Sequence, residues 1–256
     1  MENYEYMLTS VKNGLRILRL FSIDTPELGI TDISIRLGLH KTTVHRLIKT
    51  LEKEGFIEKN PKTRKYRLGI SLLNLSGIID IYTEIYREAI PVLESLTHNL
   101  GEAAHLSVLE GANTVYLYKI QCKHPVRLLS HIGKNNPCSC TSSGKVILAF
   151  QTKEMIDYVI SQGLPKCGPN SITDPDQFRN NLADIRNKGY AVCIDELHEG
   201  VTSIAAPIRD YSGDVVAAVS VVGPNQRITP AAIPRFVEYV CRAGEEISRL
   251  LGYYDD

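Results

Sequence analysis

Lys41, Thr42, His45, Arg46 and Lys49 recur at intervals that put them on one face of a helix, opposite Val44, Leu47 and Leu51. That face is cationic and rich in hydrogen-bond donors. DNA reading needs this chemistry: lysines neutralise phosphates, threonine hydroxyls bond phosphate oxygens or touch thymine methyls, and arginine pairs bidentately with guanine. Thr31 and Thr43 complete the candidate set, and Lys62, Arg64 and Lys65 lie on a predicted hairpin where they would meet the DNA backbone. An ordinary solvated helix face would carry similar residues, so the surrounding pattern has to decide.

A second group is Thr141, Ser142, Ser143 and Gly144, placed before the apolar run Val146 to Ala149. Hydroxyls and unbonded backbone N–H groups at a helix start form a corner suited to an anion such as a carboxylate. A merely capped helix would look the same. Cys138 or Cys140 as a nucleophile with His105 or His131 as base would instead make an enzyme, but nothing in their spacing supports it. Cys122, His124, Cys138 and Cys140 have the atoms of a zinc site, with two single-residue gaps narrower than structural zinc normally uses. The expectation is no catalytic residue, no metal and no cofactor.

The elements that must position these groups are legible in outline. Residues 11–21 carry Val11, Leu15, Ile17, Leu18 and Phe21 at helical spacing behind Ser10 as a candidate cap. Thr31 opens a short second helix with Ile33, Ile35 and Leu37, ended by Gly38, and residues 41–54 form a third. Short helix, glycine turn and longer helix make a helix-turn-helix. Residues 56–59 and 65–68 flank Asn60-Pro61-Lys62-Thr63-Arg64 as a wing hairpin. Residues 69–100 are helical in pattern, with Leu75, Ile78, Ile79, Tyr82, Ile85, Tyr86 and Ala89 as an apolar stripe that Pro91 should kink or interrupt. Beyond Gly101 the texture changes to strands at 104–109, 114–121, 126–131, 190–195, 203–208 and 215–222, with helices at 142–150, 152–162, 175–188 and 233–251. The predicted fold class is α+β. A winged helix-turn-helix (residues 1–70) and a linker helix (71–90) precede a domain of antiparallel sheet flanked by helices (91–256).

Charge divides along the same boundary. The 256-residue chain is neutral overall, but residues 1–70 hold 13 basic and 8 acidic residues, leaving 16 basic and 21 acidic for the remainder. Within residues 36–67 ten basic side chains face three acidic ones, the concentration expected of a surface that meets a polyanion. The acidic second domain is too large to be another DNA grip and is better suited to sensing and assembly, which disfavours a purely architectural DNA-binding protein. Six sparse cysteines fit reduced thiols better than a secreted framework. No signal peptide is evident, and apolar runs such as residues 215–223 are too short to span a bilayer, so a cytoplasmic protein with no membrane partner is expected.

The runs Val11-Lys12-Asn13-Gly14-Leu15-Arg16-Ile17-Leu18, Gly29-Ile30-Thr31-Asp32-Ile33, Lys41-Thr42-Thr43-Val44-His45-Arg46-Leu47 and Gly55-Phe56-Ile57 resemble the isocitrate lyase regulator (IclR) family. So do Thr141-Ser142-Ser143-Gly144-Lys145-Val146-Ile147-Leu148-Ala149, Gly189-Tyr190-Ala191-Val192, Ser203-Ile204-Ala205-Ala206-Pro207 and Ser220-Val221-Val222-Gly223-Pro224, so the resemblance covers nearly the whole chain. It implies a transcriptional repressor with a GAF-like effector domain. Ser142, Ser143, Gly144, Cys193, Ser203 and Ser220 would line a pocket for a small organic acid. The sequence departs from the family at Cys193, where Asp is common, and at Ser203, where Cys is common; Asp195 and Glu196 stand close by as further acceptors. Arg127, Ile132-Gly133, Asn136-Pro137 and the Leu251-Gly252-Tyr253 ending further resemble the branch that regulates 2-keto-3-deoxygluconate catabolism. The partners then expected are a double-stranded operator with an inverted repeat, a small carboxylate effector and a second copy of the chain. Leu75, Ile78, Ile79, Tyr82 and Ile85 would either join that dimer contact or pack within the chain.

Overall fold

The computed structural model describes residues 8–22, 25–75, 84–122 and 135–254. The chain divides into two compact units, Met1–Tyr82 and Thr83–Asp256.

The first unit contains α1 (Thr9–Leu18), α2 (Ile30–Leu37), α3 (Lys41–Lys53) and the hairpin β1 (Ile57–Lys59) with β2 (Tyr66–Leu68). Ile17, Leu28, Ile33, Val44, Ile48, Ile57 and Tyr66 form its core, one or two apolar side chains from each element. Two caps differ from expectation. Leu8, not Ser10, precedes α1 and makes no capping bond. Gly29, not Thr31, precedes α2, and its N–H donates to Asp32 Oδ2 at 3.0 Å, leaving Thr31 inside the first turn. Val11, Leu15 and Ile35 also face outward, because a unit this small buries only one narrow stripe of each helix. Gly38 adopts a left-handed φ of 66°, which a side chain would resist, and so makes the sharp turn from α2 to α3. Residues 71–75 are again helical, while Ile78, Ile79 and Tyr82 of the expected linker stripe lie outside the described residues.

In the second unit α4 (Glu84–Leu100) runs on through Pro91 without interruption. It leads into β3 (Ala103–Glu110), β4 (Asn113–Ile120) and β5 (Asn135–Pro137). A 3-10 turn (Cys138–Cys140) and the helices α5 (Ser142–Ala149), α6 (Lys153–Ser161) and α7 (Pro175–Lys188) follow. The chain closes with β6 (Ala191–Ile194), β7 (Val201–Arg209), β8 (Val215–Pro224) and α8 (Ile233–Leu250). The six strands form one antiparallel sheet in the order β5-β4-β3-β8-β7-β6. The expected strand at 126–131 lies outside the described residues, and short β5 was not anticipated.

Strand alternation sends Ala104, Leu106, Ile204, Ala206, Val219 and Val221 to one face, where α4 and α8 cover them. Phe236, Val240, Ala243 and Ile247 supply the matching stripe of α8, at steps of three or four residues. Ala205 and Ala218 point to the other face, beneath α5 and α7. On that second face the alternation also carries polar residues: Ser203 pairs with Val222 across β7 and β8, and Ser220 pairs with His105 across β8 and β3. Polar positions inside a covered face must find partners or a ligand, and this locates the site.

Candidate nucleic-acid interface and effector pocket

The helix-turn-helix presents its candidate reading face as its core requires. Val44 and Ile48 are fully buried, so Lys41, Thr42, Thr43, His45, Arg46 and Lys49 on the rest of α3 are exposed together. Lys49 is partly committed: its ammonium lies 2.7 Å from Glu52 one turn on, and that bond raises its pKa. Thr31 is exposed near the start of α2. The wing has a brace that the sequence did not announce. Glu27 accepts hydrogen bonds from Asn60 Nδ2 at 2.6 Å and Thr63 Oγ1 at 2.7 Å, which pull its pKa down, the Asn60 bond most. Asn60 Oδ1 in turn accepts from the backbone N–H of Lys62. Arg64 sits at a left-handed φ of 59°, a conformation that costs a non-glycine residue energy and that the braced turn imposes. Lys62, Arg64 and Lys65 all project into solvent.

In the second unit the sequence-selected residues converge. Ser142, Ser143, Cys193, Ser203 and Ser220 line one recess of about 40 Å³, with Thr141, Tyr116, Asn136, Glu196, Leu197 and His198. Thr141 caps α5 by accepting from Gly144 N at 3.0 Å, and its hydroxyl meets Thr114 Oγ1 at 2.9 Å. Ser143 Oγ donates to Ser220 Oγ at 2.9 Å, tying the helix start to the sheet. Gly144 is not part of the lining. A side chain there would come within 2.5 Å of Thr114 Oγ1 and of Cys138 backbone atoms, so its smallness lets α5 seat against the 3-10 turn. Asp195 is also not on the lining. Its carboxylate accepts from Gly200 N at 2.6 Å and Asn225 Nδ2 at 2.9 Å, bracing the rim of the recess from a left-handed φ of 57°.

Electrostatically the recess is close to neutral. Glu196 is paired with Lys145 Nζ at 2.5 Å, and both side chains are at least nine-tenths buried. Burial pushes the Tyr116 hydroxyl up to about 12, against the opposing effect of its bond with Asn136. Burial also raises the Cys193 thiol well above its usual range, with the Lys145 charge acting in the opposite direction. His105, stacked on Tyr116 with ring centroids 4.7 Å apart, is held neutral because burial lowers its pKa to about 3. Burial likewise carries Cys138 up to about 12, so this thiol is not activated as a nucleophile. Among the described residues no three His, Cys, Asp or Glu side chains are grouped to hold a metal ion; His124 lies outside them. The recess therefore offers neutral hydroxyl donors and acceptors beside a helix N-terminus. It suits a small polar molecule with a single anionic group.

Sequence reasoning overlooked Tyr116, Asn136, His198 and the buried ammonium of Lys145. A lysine leading straight into the apolar run Val146 to Ala149 was the one available sign of the last.

The model of the bacterial transcriptional regulator IclR C-terminal domain matches residues 81–249, and that of the IclR helix-turn-helix domain matches residues 10–61. The chain belongs to the IclR family. Among curated relatives, the HTH-type transcriptional regulator XynR of Escherichia coli is 34% identical, with 96% of this chain and 98% of XynR covered. KdgR of the same organism is 28% identical, with 93% of each covered. An IclR homolog from Microbacterium hydrocarbonoxydans, solved in complex with 4-hydroxybenzoate, superposes with a TM-score of 0.83 at 29% identity, covering 94% of this chain and 98% of that one. The protein is thus a DNA-binding transcriptional regulator of this family, with a small-molecule effector domain behind its helix-turn-helix. No helix among the described residues is long and apolar enough to cross a membrane.

Proposed function

We propose that this IclR-family regulator is a cytoplasmic homodimeric repressor, without catalytic activity, that releases its operator when a small carboxylate occupies the recess at the start of α5. Residues 1–70 grip DNA, residues 71–90 link, and residues 91–256 sense and assemble. Arg46 and its neighbours Thr42, Thr43 and His45 read base edges. Lys41, Lys49, Lys62, Arg64 and Lys65 hold phosphates, with Thr31 at the backbone. Two copies reading an inverted repeat double the interface of one small winged unit.

The observation that carries the reading is the convergence of Ser142, Ser143, Ser203, Ser220 and Cys193, distant in sequence, on one enclosed recess at a helix N-terminus. The effector's carboxylate meets the α5 backbone N–H groups, and the serines bond its hydroxyl or keto oxygens. The resemblance to the ketodeoxygluconate branch, and the KdgR relative, make a sugar acid the first compound to try. A volume of about 40 Å³ holds roughly three waters. The rim at Glu196 to His198 therefore moves outward as a six-carbon acid binds. Titration calorimetry with ketodeoxygluconate, pyruvate, glyoxylate and 4-hydroxybenzoate tests this. Ser143→Asp puts a negative charge where the carboxylate sits, and binding should be abolished while the fold persists. Undiminished binding to folded Ser143→Asp would place the pocket elsewhere.

A further inference from the structure

Cys140 ends the 3-10 turn one residue before Thr141, the cap of α5, and is fully buried. Its Sγ donates at 3.3 Å to the carbonyl of Pro165, two residues before Cys167 in the chain. Cys167 is the one exposed cysteine of the six. It belongs to the loop between α6 and α7, which is stitched to the rim of the recess. Asn170 N donates to Asp195 O and Asn170 Nδ2 to Ile194 O, each at 3.1 Å. Ser171 Oγ accepts from Cys167 N at 3.0 Å and donates to Glu196 O at 2.6 Å. Cys140, just before the helix start, thus bonds the loop that carries Cys167 and that backs the rim of the recess.

We infer that Cys140 and Cys167 form an oxidisable thiol pair, a modification site at which a hydroperoxide converts two thiols into one intramolecular disulfide. The exposed Cys167 thiolate attacks a peroxide oxygen, the O–O bond breaks, and the leaving alkoxide or hydroxide takes up a proton, leaving a sulfenic acid. Cys140 sulfur then attacks the sulfenic sulfur and loses its proton; the S–S bond forms as water leaves. Two thiols lose two electrons in total, and the peroxide is reduced to alcohol (or water) and water. The product ties the helix start to the rim loop, so the walls that must separate around a ligand are joined. Burial, with the neighbouring Cys140 thiol, lifts Cys167 to about 11, so thiolate is scarce at neutral pH. The pair therefore responds to sustained oxidant and faster in alkali.

The test uses the full chain, hydrogen peroxide and peptide mapping without reductant. The expected product has lost the mass of two hydrogens, contains a Cys140–Cys167 cross-linked peptide, and reverts with dithiothreitol. Its rate should rise about tenfold per pH unit between pH 7 and 9, following the thiolate. Cys167→Ser, a change at an exposed position, should abolish the cross-link, whereas Cys241→Ser should keep it. On cross-linking, backbone amides of residues 166–171 and 194–196 should exchange hydrogen more slowly. A different pairing, over-oxidation of Cys167 with Cys140 still a free thiol, or an unchanged mass would each overturn the inference. None of these readouts depends on which effector the recess takes.

Discussion

The exposed face of α3, proposed to read DNA, and the recess at the start of α5, proposed to hold an effector, are both sets of polar side chains, and they are built in opposite ways. On α3 the polar residues stand in water, contribute little to the fold and are gathered within nine positions of the sequence. Around α5 they come from several elements far apart in the chain and are removed from solvent, and each has to be satisfied inside the protein. The first region is exposed and basic. In the second, the buried Lys145 cation is cancelled by Glu196, and hydroxyls dominate what is left. Single substitutions on the α3 face should therefore cost the fold little, whereas those in the recess should cost it more.

Stability measurements test this contrast. The largest expected effect is at Lys145→Met, which leaves the Glu196 carboxylate buried without its partner and should cost about 3–5 kcal/mol in urea denaturation. Lys145→Met with Glu196→Gln should recover much of that loss, because no unpaired charge remains. If the single variant is as stable as wild type, burial of the Lys145–Glu196 pair does not make the recess sensitive to substitution. Next comes acid sensitivity through His105. Its folded pKa of about 3 lies below the unfolded value near 6.5, so as pH falls below about 6.5 the unfolded chain takes a proton the folded one refuses. Stability present above that pH should fall by about 2 kcal/mol by pH 5. His105→Gln should remove this dependence, and an unaltered slope between pH 6.5 and 5 would contradict it. The smallest effect on stability, within about 0.5 kcal/mol, is expected for exposed Arg46→Ala. Its operator affinity should nevertheless fall by about 1–3 kcal/mol in a gel-shift titration. Loss of stability there, or unchanged operator affinity, would erase the distinction between the two regions.

The two regions also differ in how far sequence exposed them. The α3 face was readable because one helix sets its own geometry: Val44 and Ile48 must turn inward, and every other position follows from 3.6 residues per turn. The α5 corner was readable as a cap, and Thr141 does cap it, but Gly144 turned out to serve packing and Asp195 to brace the rim. Val11, Leu15 and Ile35 fit the helical spacing yet stay exposed, because periodicity marks an apolar face without saying how much of it a small unit can cover.

What the amino-acid sequence determined by itself is therefore local and electrostatic: the helices, their glycine turn, the alternating strands, the basic first domain and the acidic second. Family likeness added which scattered positions share a pocket. Tertiary structure alone decided that Glu196 reaches Lys145, that Ser143 meets Ser220 across the sheet face, that Glu27 braces the wing and that Cys140 bonds Pro165 in the loop of Cys167. Those pairs are separated by up to 77 positions. Local periodicity carries no information about which distant strands and loops become neighbours. That is set by how the sheet orders its strands and by the need to satisfy every polar group it buries.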